Sequence, residues 1–109
     1  MGLRDKLRER LSNNTQSFYV EEWDETIYAT PLSCGDTAKM QGKHPEFPFK
    51  LTSDAMVDLL LLKCLDAQGD KVFTLEDKPI LLRQDMGSIS TVVGMILGVT
   101  YTVEDAEKN

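Results

Sequence analysis

LTSDAMVDLLLLKCLDA, from Leu51 to Ala67, is the longest stretch of the chain with a single structural reading. Thr52, Ser53 and Asp54 offer side-chain acceptors to the free amides of a first helical turn. Asp54 and Asp58 set negative charge near the positive end of the helix dipole, and Gly69 stands where a left-handed terminator belongs. The pattern predicts a helix over Thr52–Ala67. At about 100° per residue, four successive leucines cannot share one face. Val57, Leu60, Leu61 and Cys64 cluster as the expected core face, flanked by Met56 and Leu65. Asp54, Asp58 and Asp66 mark the opposite side, and Leu62 falls among them. A leucine there either packs under a neighbouring segment or meets a partner, and the pattern alone leaves both open.

Downstream, Asp66–Asp70 has turn chemistry and Lys71–Phe73 reads as extended. Thr74-Leu75-Glu76-Asp77 matches a capping box, and Pro79 suits the first turn of a helix carrying Ile80, Leu81 and Leu82. Asp85 is the expected cap of a last helix, Met86–Leu97. There Ile89, Val92, Val93, Ile96 and Leu97 follow the helical core rule, with Gly98 as the stop. Gly87 and Gly94 would let another backbone approach that helix. Tyr101–Asn109 is acidic and expected to fray.

Upstream the period changes. Phe18 to Leu32 alternates apolar and polar residues, rich in aromatic and β-branched types, which predicts two strands joined by a turn at Trp23–Thr26. Pro31 ends the second strand or lies at its edge. A lone hairpin is barely stable, so its apolar face must rest on helices. Ser33–Asp36 opens a short helix, Thr37 to Gln41, that Gly42 stops. His44-Pro45-Glu46-Phe47-Pro48-Phe49 is expected to be extended. Gly2–Leu11 places Leu3, Leu7 and Leu11 at four-residue spacing among charges, a narrow amphipathic helix, and residues 12–17 form a polar linker. The expected fold is α+β, mostly helical with four to five helices and a small antiparallel β-hairpin near the N-terminus. One domain, 1–109, has its folded core at about 15–102; the amphipathic helix 2–11 and the acidic tail 103–109 are its mobile ends.

The formal charge is −6, which argues against nucleic-acid binding, since that calls for a basic surface. No run approaches membrane-spanning length, and the first residues lack a signal peptide's apolar run, so a cytoplasmic protein is expected. Cys34 and Cys64 are expected to stay reduced. No nucleophile elbow, phosphate loop or dinucleotide pattern is present. His44 is the single histidine and is expected to face solvent. Asp66, Gln68, Asp70 and Asp77 lack the ligand order of a calcium loop. The reading is of a non-enzyme with no catalytic residue, no metal and no cofactor.

Three segments together carry a family resemblance: Glu22-Trp23-Asp24 with Ile27–Ser33; Asp66–Asp77, reading DAQGDKVFTLED; and the apolar helix from Ser88 to Gly98. In this order they resemble the tail assembly chaperones of long-tailed, non-contractile bacteriophages of the lambda and HK97 type. The resemblance covers most of Phe18–Glu104. The Phe47–Phe49 loop, the short helix after Ser33 and Val99-Thr100-Tyr101 depart from the family pattern. It implies a non-enzymatic chaperone that coats the tape measure protein, keeps it soluble until tail tube protein replaces the chaperone, works in the cytoplasm of the infected or lysogenic host and is absent from the mature virion. A coating protein of this kind needs an apolar patch for client helices and repeating self-contacts, in a helical or ring-like oligomer. Leu59, Leu62, Phe47 and Phe49 are the expected partner contacts. Arg4, Leu7 and Arg8 are the expected self-association contacts. The rival reading is a structural protein of the head–tail connector or tail completion type, which would remain in the particle.

Overall fold

Three helices pack against α3 (Ser53–Lys63), the helix at the centre of the fold. They are α2 (Cys34–Lys43), α4 (Lys78–Leu82) and α5 (Met86–Lys108). Before them come α1 (Leu3–Ser12) and a hairpin of β1 (Gln16–Val20) and β2 (Glu25–Ala29). A computed structural model describes residues 2–12 and 14–108 of the chain. The architecture is α+β: five helices and one two-stranded antiparallel sheet, among the described residues.

The hairpin forms over the alternating stretch, but its turn lies two residues earlier than expected: β1 begins at Gln16, within the expected linker, and Glu25 and Thr26, expected in the turn, already pair in β2. Phe18 pairs with Ile27 and Val20 with Glu25, and a 3-10 turn at Glu21–Trp23 joins the strands. Asp24 closes that turn at φ 50°, a left-handed conformation that aspartate tolerates better than most residues. Val20, Ile27 and Ala29 point inward and are buried, so the sheet is roofed by the helices. β2 also has a partner on its other edge. Tyr28 and Leu65 exchange backbone hydrogen bonds at 2.9 and 2.8 Å, and Leu65 bridges onward to Lys71.

That pairing ends the central helix earlier than the sequence suggests. Thr52 caps α3 through Ala55 N–H, as expected, but the helix stops at Lys63 rather than Ala67. Leu65 leaves to join the sheet, and Asp66 builds a turn by accepting from the Gln68 and Asp70 amides at 2.9 and 3.0 Å. Gly69 does take φ +86°, inside this turn rather than at the helix end.

The buried arc of α3 is also rotated from the expected one. Ala55, Met56, Val57, Leu59, Leu60, Lys63 and Cys64 are buried, whereas Leu61 and Leu62 are half-buried. Its centre lies roughly one residue's rotation, about 100°, from the face predicted. The cause is Lys63, which sits in the middle of the arc and reads as a solvent position. Its ammonium is instead enclosed by Thr30 Oγ1 at 2.7 Å, Asp36 Oδ2 at 2.8 Å and the Pro31 carbonyl at 3.3 Å. Cys64 is sealed in the core, and burial pushes its thiol pKa up to about 12.

α5 supplies the other half of the core. Asp85 caps it by accepting from Ser88 N–H at 2.9 Å, and Ile89, Val92, Val93 and Ile96 are buried on the expected stripe. Gly98 does not stop the helix, which runs on to Lys108; the backbone of the segment expected to fray is helical. A glycine within a helix costs only about 1 kcal/mol relative to alanine, and no proline follows it. The close backbone approach expected at Gly87 and Gly94 is not made among the described residues: the space beside Gly94 is open to 4 Å, and that beside Gly87 meets the cap carboxylate of Asp85 at 3.2 Å.

Two further expectations change. α2 begins at Cys34 and runs through Gly42 to Lys43, because Ser33 and Asp36 form a reciprocal capping box. His44–Phe49 is a compact turn rather than an extended segment. Phe47 N–H bonds the His44 carbonyl and Phe49 N–H the Glu46 carbonyl, both at 2.9 Å. Phe47 is driven into the core and Phe49 out to solvent.

Candidate functional site

On the acidic side of α3, Asp54 and Asp58 gather charge from two other elements. Lys78 of α4 places its ammonium 2.8 Å from Asp54 and 2.9 Å from Asp58, and Lys43 at the end of α2 lies 3.6 and 3.3 Å away. His44 is not the exposed histidine expected: its side chain is mostly buried and its Nε2 lies 2.7 Å from Asp58. His44, Asp54 and Asp58 bring three ligand-type atoms within 4.8 Å of one another. The Lys78 ammonium already bridges both carboxylates, so the arrangement is a clamp tying α2 and α4 to α3 rather than a metal centre.

The clamp sets an acid limit on stability. Burial alone would raise the Asp58 pKa, but hydrogen bonds from Lys78, His44 and Lys43 outweigh it and hold it below the usual carboxylate value. The Lys78 hydrogen bond lowers Asp54 against burial and the like charge of Asp58. In Asp36, Lys63 and Ser33 overcome the upward push of burial. Carboxylates depressed in the folded state stabilise it above their unfolded pKa, about 3.9, and lose that contribution as pH falls through the folded values. The melting temperature should therefore drop steeply below about pH 4, and Asp58→Asn should flatten that slope. A slope unchanged by the substitution would remove the clamp from the account.

Trp23 and Phe73 meet edge to face, with ring centroids 6.3 Å apart. Phe73 is the shared wall of two clefts of opposite rim charge. The first, about 550 Å³, has an apolar lining of Met40, Leu61, Leu62, Phe73 and Leu75, with Lys39, Lys43 and Lys71 around it and one carboxylate, Asp58, already paired with Lys43, Lys78 and His44. Lys39 and Lys71 are exposed and have no ion-pair partner among the described residues. The second, about 750 Å³, lies between β2 and α4. Ile27 and Leu81 lie at its floor and Trp23, Val72 and Ile80 line its walls, while its charged lining residues, Glu25 and Asp66, are both acidic.

The expected contact residues divide among these surfaces. Leu62 lies half-buried in the lysine-rimmed cleft. Leu59 and Phe47 are corrections: they are 0% and 1% exposed, sealed because the buried arc of α3 is rotated far enough to take in Leu59 and the 44–49 turn folds Phe47 inward. Phe49 is 96% exposed and lines neither cleft. Arg4, Leu7 and Arg8 lie on α1, where every residue from Gly2 to Leu11 is exposed. The sequence reading missed Lys39, Lys71, Leu75, Val72 and Ile80. One signal was available: Ile80, Leu81 and Leu82 succeed one another in a five-residue helix and cannot all face inward.

No family model matches the chain, and no curated protein matches it. Among solved structures it is similar to the tail assembly chaperone of bacteriophage HK97, with a TM-score of 0.59 and 14% identity over 87% of this chain and 94% of that one. The fold is that of a phage tail assembly chaperone. At such low identity the likeness is one of fold.

Proposed function

We propose that the chain is a tail assembly chaperone, a non-enzymatic protein that binds the tape measure protein and holds it soluble while tail tube protein assembles around it. It acts in the cytoplasm of the phage's bacterial host, self-associates along its client, and leaves before the virion is complete. The observation that carries this reading is the shared fold, which spans 94% of the known chaperone. The lysine-rimmed cleft gives it a physical basis. Its apolar lining suits one face of a client helix, and Lys39 and Lys71 favour a helix whose apolar stripe is edged by acidic residues.

Co-expression with the tape measure protein of the same genome tests the proposal. The long helical client should move from the insoluble to the soluble fraction and co-purify with the chain, and mass spectrometry of purified virions should not find the chain. A client that stays insoluble would overturn the proposal, as would a chain found in stoichiometric amount in the particle.

A further inference from the structure

α1 and the acidic cleft are each incomplete, and each supplies what the other lacks. Leu3, Leu7 and Leu11 are 71%, 49% and 69% exposed and form one seam along a ten-residue helix. Isolated helices of that length are marginal in water, so this one needs a surface to lie on. The cleft between β2 and α4 has such a surface, with Val72 and Ile80 left 42% and 61% exposed. Charge selects between the two clefts. α1 carries Arg4, Lys6, Arg8 and Arg10 against Asp5 and Glu9, that is, four of the twelve basic residues of the chain and two of the eighteen acidic ones. The lysine-rimmed cleft repels that helix. In the other cleft, Glu25 and Asp66 attract it.

We propose that α1 of one copy docks in the Glu25–Asp66 cleft of the next copy, joining copies head to tail. Residues 13–15 alone separate α1 from β1, which leaves α1 attached on the β1 side of the hairpin. The cleft opens on the opposite side, where β2 meets Leu65 and Asp66. A helix on so short a tether reaches a neighbour's cleft more readily than its own. The contact joins two different surfaces, so it has no two-fold symmetry and extends as an open chain unless its rotation closes a ring. The inference specifies the self-association within the proposed function and does not depend on the client.

The test uses the full chain in sedimentation velocity at several concentrations and at low and high salt. Wild type should grow in mass with concentration, and salt should oppose that growth. Leu7→Glu in α1 and Ile80→Glu in the cleft both alter exposed side chains; circular dichroism checks that each variant stays folded. Each variant alone should shift the association midpoint upward about tenfold or more. Mixed together, they should form a heterodimer that does not extend, because one copy keeps a working cleft and the other a working α1. Wild-type assembly unaffected by Leu7→Glu would overturn the docking, and so would a mixture that stays monomeric. A wild type that is monomeric throughout, with α1 made protease-sensitive by Ile80→Glu, would show docking within one copy and would also overturn it. Loss of the docking result with client solubilisation intact leaves the proposed function standing. Assembly through α1 without any effect on the client does the reverse.

Discussion

Lys63→Ala should destabilise the chain by about 3–5 kcal/mol, a large part of the roughly 5–15 kcal/mol that holds a small domain together. The side chain is 7% exposed, and its ammonium has three acceptors for its three protons: Thr30, Asp36 and the Pro31 carbonyl. Truncation removes the stem from the core and leaves the Asp36 carboxylate, 20% exposed, without its cation. Asp36 is also the third residue of α2 and the capping-box partner of Ser33, so an uncompensated charge there loosens the start of α2. Lys63→Met separates the causes, because it keeps the apolar stem and removes only the charge. Urea unfolding should place Met between wild type and Ala, with the slope unchanged. In Lys63→Met the Asp36 pKa should rise, since burial then acts against the Ser33 hydrogen bonds alone. An Ala variant with the wild-type midpoint would mean that water replaces the ammonium at no cost.

Lys63 also explains how far the fold could be read from the sequence. Elements set by local chemistry were legible: the Thr52 cap, the Thr74–Asp77 capping box and the α5 stripe stand where pattern and propensity put them, and the two alternating strands form with their turn two residues early. What failed depended on partners distant in sequence. Lys63 reads as solvent-facing until Thr30 and Asp36, 33 and 27 residues earlier, are brought around it. The end of α3 depends on Tyr28, which offers Leu65 a strand edge that no local rule can see. His44 is a loop residue by its neighbours and a clamp residue by virtue of Asp58, 14 positions on. The same limit applies to the clefts. Leu62 was legible as an apolar residue on a charged face. The lysines that give its cleft a sign come from α2 and from the strand segment at Lys71, and only the fold brings them together.

Leu62→Asp should then cost the chain its client while leaving its fold. Leu62 is half-buried at the edge of the buried arc of α3, so the substitution forfeits part of a leucine's burial, about 1–2 kcal/mol. Repulsion from Asp58, one helical turn earlier, adds a few tenths of a kcal/mol. Lys39 and Lys71 offset some of that loss by receiving the new carboxylate. Binding has no such compensation. A client helix with acid-edged apolar residues would meet a desolvated charge at the centre of its groove, and the lysines that should attract it would be engaged. Central anchors of this kind are worth about 2 kcal/mol or more when lost, which is about 30-fold in affinity. The soluble fraction of a co-expressed tape measure protein should fall accordingly, and Lys39→Glu should weaken binding in a way that low salt accentuates. Phe49→Asp is the control: that ring is 96% exposed and lines neither cleft, so both stability and client solubility should be unchanged. If Phe49→Asp abolishes solubilisation and Leu62→Asp does not, the client lies over the 44–49 turn, and the lysine-rimmed cleft has no part in holding it.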